Sequence, residues 1–514
     1  MKQPDMRPME AASEIRMESV ARGYAGARVT VVGLGREGLA VTRVLAAEGA
    51  HVTVSDRRGR EALAAELDAL AALPGIRYAL DDGGAPRDID ALLAGCDLLV
   101  LSPGVDKRLP LVREAVRRGI ALSSETALFF SRCPAPIIGV TGSAGKTTTT
   151  TLIGAMLRRG PRPVFVGGNI GQPLLERLGE IPPDAWVVLE LSSFQLEGLR
   201  MSPAIAVVTN LTPNHLDRHE TMDAYAEAKA SIVAHQTARD IVVLNRDDAR
   251  CVALASRTPA RVLYFSLTSA VSDGAFLDTG NSDGAWLMLA RGGSPMRLCR
   301  DDELSVPGRH NVANTLAAAA VAAARALPLS AIHTTITEFR GVPHRLQPVG
   351  THRGVTYYDD SIATAPERTL AALAAINGTS VLILGGRDKH LPWDGLARVA
   401  VQRCRAVVLI GEAADGIRRH LEHALAEVAT AHDTQDAHEV ATEQEQGRSA
   451  RMLQAGAIVT ARDMADAVRH AAALARPGDN VLLSPGCASY DMYRDFAARG
   501  DAFTRAVGRL SEDG

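Results

Sequence analysis

The sequence predicts an α/β protein of three domains: a Rossmann-like N-terminal domain, a central P-loop-type parallel sheet with a β-rich excursion, and a C-terminal Rossmann-like α/β domain. Its 514 residues exceed the length at which a single hydrophobic core stops growing. Short apolar runs rich in β-branched residues alternate with helical stretches, which is the rhythm of βαβ units and a parallel sheet. Two glycine turns, GLGREG and GVTGSAGKT, each stand between such a run and a helix.

Composition narrows the class of function. Hydrophobic residues make up 46% and charged residues 22%, the balance of a globular chain that can bury large cores without staples. The net charge of −3 and the scattered basic residues lack the footprint of a nucleic-acid or anionic-membrane binder, so small-molecule partners are expected. Cys96, Cys133, Cys251, Cys299, Cys404 and Cys487 form no CxxC pair, which argues against a zinc cluster or a disulfide framework. MKQPDMRPME has no apolar signal core and TLAAAAVAAARAL is too short to span a bilayer, so a cytoplasmic protein is expected.

Residues 1–24 are polar and aperiodic, and a mobile leader is expected there. In residues 25–132, RVTVVGLG, HVTVSD, DLLVLSPG and IALSSE are strands, with a helix from about Glu37. Residues 133–345 restart the rhythm with APIIGVTG, WVVLELSS, IAVVTNLT and IVVLNRDD, apolar enough to be covered on both faces. Within them, YFSL, GAWLMLA and PMRLC are spaced like antiparallel hairpins, the β-rich excursion of residues 263–306. Residues 346–514 carry GVTYYDDS, SVLILGG, AVVLIGE and NVLLSPG, and the polar stretch 431–449 is expected to be a flexible insertion.

The chemistry concentrates in the middle domain. An apolar strand, the loop Gly142, Ser143, Ala144, Gly145 and a helix opening with Lys146, Thr147 and Thr148 direct backbone N–H groups and a positive helix end at one anion. Lys146 adds a charge and Thr147 a hydroxyl for Mg²⁺. The GxxxxGK[ST] pattern is missed by one place, because Val140 stands where its first glycine would be. Glu190 interrupts the otherwise apolar WVVLELSS, and a neighbouring cation resolves the cost of a carboxylate there. His215 follows IAVVTN at the carboxyl edge, where open parallel sheets place ligands. In TMDAYAEAKASIV, Met222, Tyr225, Lys229 and Ile232 share one helical face, so Lys229 is aimed inward. Read alone, that lysine is more readily a snorkelling side chain. The N-terminal turn satisfies GxGxxG at Gly33, Gly35 and Gly38, with Asp56 closing the next strand, which leaves a site for a nucleotide-linked substrate and an NAD-dependent oxidoreductase as alternatives.

Taken together, GVTGSAGKTT, GGNIG, LELSSFQLE, NLTPNHLDRH, YAEAKASI, GRHNVANTLAA, GVPHRLQPV and LLSPGCASYDMYRDFAARG resemble the Mur ligases over roughly residues 25–509, and among them the branch that adds glutamate to UDP-N-acetylmuramoyl-L-alanine. The resemblance implies a UDP-substrate domain, a central ATPase-type domain and a C-terminal domain closing on ATP and glutamate. It implies ATP-driven amide synthesis through an acyl phosphate in peptidoglycan synthesis, with ATP and Mg²⁺ as cofactors and a monomeric enzyme. Lys146, Glu190, His215 and Lys229 are then the catalytic set, and Thr147, Glu190, His215 and Lys229 the metal set, Lys229 resembling the family's carbamylated lysine. Asn311, Asn314, Arg345 and Asp360 match its nucleotide-binding positions. Gly35, Arg36, Glu37, Asp56, Ser102, Gly104, Asn169 and Ser192 match those for the UDP substrate, and Thr364, Lys389, Ser489 and Phe496 those for glutamate. The chain departs from the family in DDSIATA, where Ile362 replaces a lysine and Ala365 an asparagine. A cation is thereby lost near the amino-acid site, so D-glutamate is the first expectation and L-glutamate the alternative. Folylpolyglutamate synthesis, within the same superfamily, needs no uridine site, and a guanine switch would want an NKxD reader that LNRDD matches poorly.

Overall fold

The computed structural model describes residues 23–81, 88–171, 173–213, 216–280, 282–306, 308–388, 391–435 and 453–510. The leader before residue 23, His215, Lys389 and the insertion beyond residue 435 lie outside the described residues. The chain divides into two compact units, residues 1–339 and 340–514.

The first unit holds two sheets. Strands β1 (Arg28–Val32), β2 (His51–Asp56), β3 (Ile76–Leu80), β4 (Leu98–Leu101) and β5 (Ala121–Ser123) pair in parallel in the order β3-β2-β1-β4-β5. That is the doubly wound order whose turning point lies between β1 and β4. Helix α1 (Arg36–Ala47) begins directly after the first glycine turn and buries Ala40, Val41, Leu45 and Ala46 against the sheet. Helix α2 (Glu125–Arg132), capped by the Ser124 hydroxyl on the Ala127 N–H, leads out of the sheet. Tyr24, at the end of the expected leader, is buried in the core of this unit.

The second sheet has nine strands: β6 (Ile137–Thr141), β7 (Val164–Gly168), β8 (Trp186–Glu190), β9 (Ile205–Val208), β10 (Ile241–Asn245), β11 (Arg261–Ser266), β12 (Gly274–Asp278), β13 (Trp286–Arg291) and β14 (Ser294–Arg300). Their order is β14-β13-β12-β11-β10-β9-β6-β8-β7. The expected excursion is thus an extension of the same sheet. Tyr264–Ser266 of YFSL lie in β11, which pairs in parallel with both β10 and β12, and antiparallel pairing begins only between β12 and β13 and continues to β14. Helices α3 (Lys146–Leu157) and α4 (Arg309–Ala324) cover one face, with Leu152, Ile153 and Met156 against Leu316, Ala319 and Ala320. The other face packs onto the helix α5 (Met222–Ala234) through Ile232 and Val233, in one core shared with the first sheet.

The second unit is a six-stranded sheet of β15 (Gln347–His352), β16 (Val355–Asp359), β17 (Ser380–Gly385), β18 (Cys404–Ile410), β19 (Ile458–Thr460) and β20 (Asn480–Leu483), ordered β15-β16-β20-β17-β18-β19. All pairs but β15 with β16 are parallel. The helix α6 (Ala414–Gln435) continues through residues 431–435, so the first part of the stretch expected to be a flexible insertion is helical. The apolar periodicity of α6 runs into AHDTQ without a helix breaker, which is why the polar composition alone misplaced the boundary. The helix α7 (Phe496–Leu510) closes the chain. Among the described residues no helix is long and apolar enough to cross a membrane.

Candidate active site

The loop after β6 and the start of α3 are built as the sequence led one to expect. Gly142 and Gly145 both have positive φ, +143° and +82°, and a Cβ on either would run into a neighbour, Thr209 Oγ1 or Asn314 Oδ1. Asn210, just beyond β9, clamps the loop from outside. Its side chain accepts from the Ala144 N–H at 2.9 Å and donates to Ala144 O at 3.1 Å, while its carbonyl accepts from the Ser143 N–H at 2.9 Å. Thr209 Oγ1 donates to Ala144 O at 2.6 Å, and Ser143 Oγ to Thr212 O at 2.8 Å. With its shape set by the segment Thr209–Thr212 that follows β9, the loop holds its amides in place before any anion arrives. The Lys146 ammonium donates to Gly142 O at 3.0 Å and to Ser143 O at 3.1 Å, across the mouth of the loop.

Two of the hydroxyls in the threonine run are engaged, while the buried Thr150 Oγ1 has no hydrogen-bond partner among the described residues. Thr147 is buried, Thr149 Oγ1 donates to Asn314 Oδ1 at 3.3 Å, and Thr151 Oγ1 to Thr147 O at 2.8 Å, while Thr148 is half-buried. Asn314 in turn donates to Asn311 Oδ1 at 3.5 Å, so both asparagines of α4 stand beside the loop.

Glu190 ends β8 and is 2% exposed. One carboxylate oxygen accepts from Asn169 Nδ2 at 2.7 Å, and the other has no hydrogen-bond partner among the described residues. A buried, unpartnered carboxylate oxygen is costly unless a cation sits beside it, so the donor set fits a divalent ion. Lys229, 1% exposed, donates to Thr141 Oγ1 at 3.1 Å and lies 4.9 Å from the centroid of the Tyr225 ring. Burial first, and then the Lys146 ammonium, bring its pKa down to about 7 against the pull of Glu190. The inward aim expected of Lys229 is therefore real, and the snorkelling alternative is excluded by its burial. Among the described residues no group of three or more His, Cys, Asp or Glu gathers as a metal cluster; the expected set draws on Thr147 and Lys229 instead, and on His215 outside them. His219, which the sequence reading passed over, is buried nearby, stacked on Phe194 at 5.1 Å and bonded to Ser193 Oγ at 3.0 Å. Its place in NLTPNHLDRH, four residues after His215, was the available signal.

A second group of expected residues gathers at the carboxyl edge of the first sheet. Gly33, at φ +88°, opens the turn, and Ser102 Oγ donates to its carbonyl at 2.7 Å. Asp56 accepts from the Leu34 N–H at 2.6 Å and from Arg58, whose guanidinium and backbone hydrogen bonds outweigh burial and hold its carboxyl below the usual range. Asp56 thus fastens the turn that the reading of an NAD site would have it leave for a ribose. Arg36 donates to Gly171 O at 3.0 Å and Gly168 O at 3.2 Å, next to Asn169. Glu37 accepts from Gln195 Nε2 at 2.8 Å, and Gln195 completes a reciprocal cap with Ser192. Gly104 O accepts from Arg218 at 3.1 Å. Gly35, the N-cap of α1, has open space where a Cβ would stand. Asn169, Ser192 and Gln195 thereby join the first turn to the Glu190 end of β8.

In the second unit, Asp360 follows β16, accepts from Ser484 Oγ at 2.7 Å and from the Leu346 N–H at 3.1 Å, and is raised by burial to about 6. Arg345, one of the stabilising charges on Asp360, is exposed. Ser489 is buried, Thr364 half-buried, and the Phe496 carbonyl accepts from Ser361 Oγ at 2.8 Å. Beneath them lies Arg499, 1% exposed, which had no place in the sequence reading.

Family profiles match three consecutive stretches of the chain: the Mur ligase MurD-like N-terminal domain at residues 27–124, the Mur ligase middle domain at 140–322, and the Mur ligase glutamate ligase domain at 344–487. The UDP-N-acetylmuramoylalanine–D-glutamate ligase of Symbiobacterium thermophilum is 42% identical over 489 residues, covering 94% of this chain and 98% of the relative. The protein of the same name from Roseiflexus sp. is 40% identical, covering 94% and 98%. Among solved structures, UDP-N-acetylmuramate-alanine ligase MurC of Thermotoga maritima matches with a TM-score of 0.50 at 19% identity, covering 95% of this chain and 100% of the other, and supports the fold alone. Three consecutive domain profiles and near-complete coverage of relatives at this identity make the chain a member of the Mur ligase family.

Proposed function

We propose that the chain joins D-glutamate to UDP-N-acetylmuramoyl-L-alanine, forming an amide bond as ATP is split to ADP and phosphate, in the cytoplasmic stage of peptidoglycan synthesis. The observation that carries this reading is the meeting of the phosphate loop, the half-satisfied Glu190 carboxylate and the buried Lys229 at one end of the central sheet. The names of relatives at 35–42% identity give the substrates.

In the proposed reaction the substrate carboxylate attacks the γ-phosphorus, ADP leaves, and an acyl phosphate forms. The glutamate amine then attacks the acyl carbon and inorganic phosphate departs with the C–O bond, the amine's extra proton passing to solvent. The loop amides, Lys146 and the N-terminus of α3 hold the phosphates and offset charge as two anions approach. Magnesium, when bound, supplies further neutralisation of those charges. Thr147 and Glu190 would hold one ion, and His215 with Lys229 a second. A neutral Lys229 amine, favoured near pH 7 by its burial, can add CO₂ and become a carboxylate-like ligand, where an ammonium would repel the metal. Asn311 and Asn314 serve the nucleotide's base side; Gly35, Arg36, Glu37, Asp56, Ser102, Gly104, Asn169 and Ser192 serve the UDP substrate. In the second unit, Arg345 and Asp360 are assigned to nucleotide, and Thr364, Lys389, Ser489 and Phe496 to glutamate.

The test is phosphate release with each substrate omitted in turn, offering D- and L-glutamate separately. Release that needs UDP-N-acetylmuramoyl-L-alanine and D-glutamate together is expected; release indifferent to both removes the proposal. Ile362 and Ala365 favour including the L-glutamate arm, because they replace the polar residues that the family places near its amino-acid site.

A further inference from the structure

The amino-terminal edge of the central sheet carries a second concave site, at the end opposite the phosphate loop. Trp186 is the first residue of β8 and Glu190 its last, so the strand's rise separates the two by about 13 Å. Around Trp186 lies a pocket of about 400 Å³, within the size range of small-molecule sites, lined by Leu157, Pro161, Arg162, Arg325 and Leu327 among others.

The charges in this pocket are unusual. The Arg162 guanidinium lies 5.0 Å from the centroid of the Trp186 ring and that of Arg325 5.6 Å, so two cations share one indole. Neighbouring arginines are paired with acids, Arg159 with Glu338 and Arg261 with Asp273. Among the described residues neither Arg162 nor Arg325 has a carboxylate within ion-pair distance, and the Arg325 Nε donates only to the adjacent Ala324 carbonyl, at 3.0 Å. Burial, followed by repulsion from Arg162 and Arg261, lowers the Arg325 pKa. The chain turns here through Ala326, a non-glycine residue at φ +58°, with the Ala326 N–H donating to Ala323 O at 3.0 Å and the Leu327 N–H to Ala322 O at 3.1 Å. This double closure of the α4 C-terminus fixes the backbone that carries Arg325.

We propose that the Trp186 pocket binds a phosphomonoester: the two unpaired guanidinium forks take the phosphate, and Leu157, Pro161 and Leu327 take an organic body. Two fixed positive charges match the −1.5 to −2 of such a group near neutral pH better than a monocarboxylate. Planar guanidinium donors are also the groups suited to bidentate phosphate contacts. The site is separate from the phosphate loop and stands whether or not the proposed ligase reaction does.

The test uses the full chain with Trp286→Phe and Trp393→Phe, which leaves Trp186 as the only one of its three tryptophans. Phenyl phosphate, benzoate and inorganic phosphate are titrated against Trp186 emission. A saturable change with phenyl phosphate is expected, at least about tenfold weaker with benzoate and with Arg162→Gln/Arg325→Gln, and unchanged by Lys146→Ala. No saturable change below about 10 mM, equal affinity in the arginine double variant, or loss with Lys146→Ala overturns the proposal. If the tryptophan variants do not fold, ³¹P line broadening of phenyl phosphate by the otherwise native chain is compared with and without the arginine changes. Equal broadening overturns it. A double variant that only melts earlier, with binding absent from the native chain too, means the arginines merely shield the indole, and likewise overturns it.

Discussion

Lys229 Nζ donates to Thr141 Oγ1 at 3.1 Å, so the inward lysine of α5 is fastened to the last residue of the strand that feeds the phosphate loop. A buried amine with its pKa drawn down to about 7 is a poor structural element, because burial disfavours its charged form. Lys229→Met keeps the volume and removes the amine, and Lys229→Arg keeps a charge that cannot be lost. Both are expected to lower phosphate release by at least about 100-fold, while circular dichroism shows a folded chain. Turnover within a few-fold of the parent in either variant would assign Lys229 to packing alone.

Gly145 is placed where only glycine fits. Its φ is +82°, and the space a Cβ would take is held by Asn314 Oδ1. In Gly145→Ala the loop must move, or Asn314 must leave its bonds with Thr149 and Asn311. Weakening of ATP binding by about 2 kcal/mol or more is expected in calorimetric titration, with a smaller effect on thermal unfolding of the chain. Retained nucleotide affinity would show that the loop is not the phosphate grip.

Much of this architecture was legible because the interior parallel strands are buried on both faces. IIGVT, WVVLE, IAVV and IVVLN read as near-continuous apolar runs, polar only at a carboxyl-terminal residue. The strands that the sequence hid are mostly edges: β3 (IRYAL), β7 (VFVGG), β15 (QPVGTH) and β19 (IVT) each pair on one side only, so polar residues and glycines are tolerated there. Strand β12, hidden as well, is short and begins with a glycine. At the site, Lys146 was legible from the glycine loop it follows and Glu190 as a carboxylate in an apolar strand, whereas Lys229, on its own more readily a snorkelling side chain, was placed by the family resemblance. The link from Glu37 to Gln195 was not legible, since 158 residues separate the partners and neither is odd in its own segment. Arg499 was hidden for the same reason, its acceptors lying at the end of β17 and in the segments that follow β16 and β20.

Those acceptors make Arg499 the strongest structural prediction in the second unit. Its guanidinium donates to Ser361 Oγ and O, Gly385 O, Cys487 O and Ala488 O, at 2.9–3.4 Å, and burial lowers its pKa to about 10. These bonds tie the ends of β16, β17 and β20 together beneath Thr364, Ser489 and Phe496. Arg499→Met leaves buried carbonyls without donors and is expected to destabilise the second unit by about 3 kcal/mol. Arg499→Lys, with fewer donors in a different geometry, recovers less than half of that. Denaturant unfolding followed by the buried Trp393 of this unit measures both; a lysine variant as stable as the parent would show that charge alone suffices.

Glu37 and Glu125 form a buried acidic pair between the first sheet and the central one. Burial is the main cause for both; it raises Glu37 to about 7 and Glu125, which Glu37 also repels, to about 8. Arg36 attracts both carboxylates, Gln195 donates to Glu37, the Leu175 N–H to Glu125, and Glu176 repels Glu125. Between the ordinary carboxylate value of 4.5 and about 8, the folded chain therefore holds protons that the unfolded chain has released. The stability from this pair is fully present below pH 4.5 and is lost as the pH rises towards 8. Glu125→Gln supplies a neutral group of the same shape that cannot ionise. It is expected to stabilise the first unit by about 2 kcal/mol at pH 8 and by less than about 0.5 kcal/mol at pH 5, read from urea unfolding at the two pH values. An increment independent of pH would mean that Glu125 is not protonated in the native state.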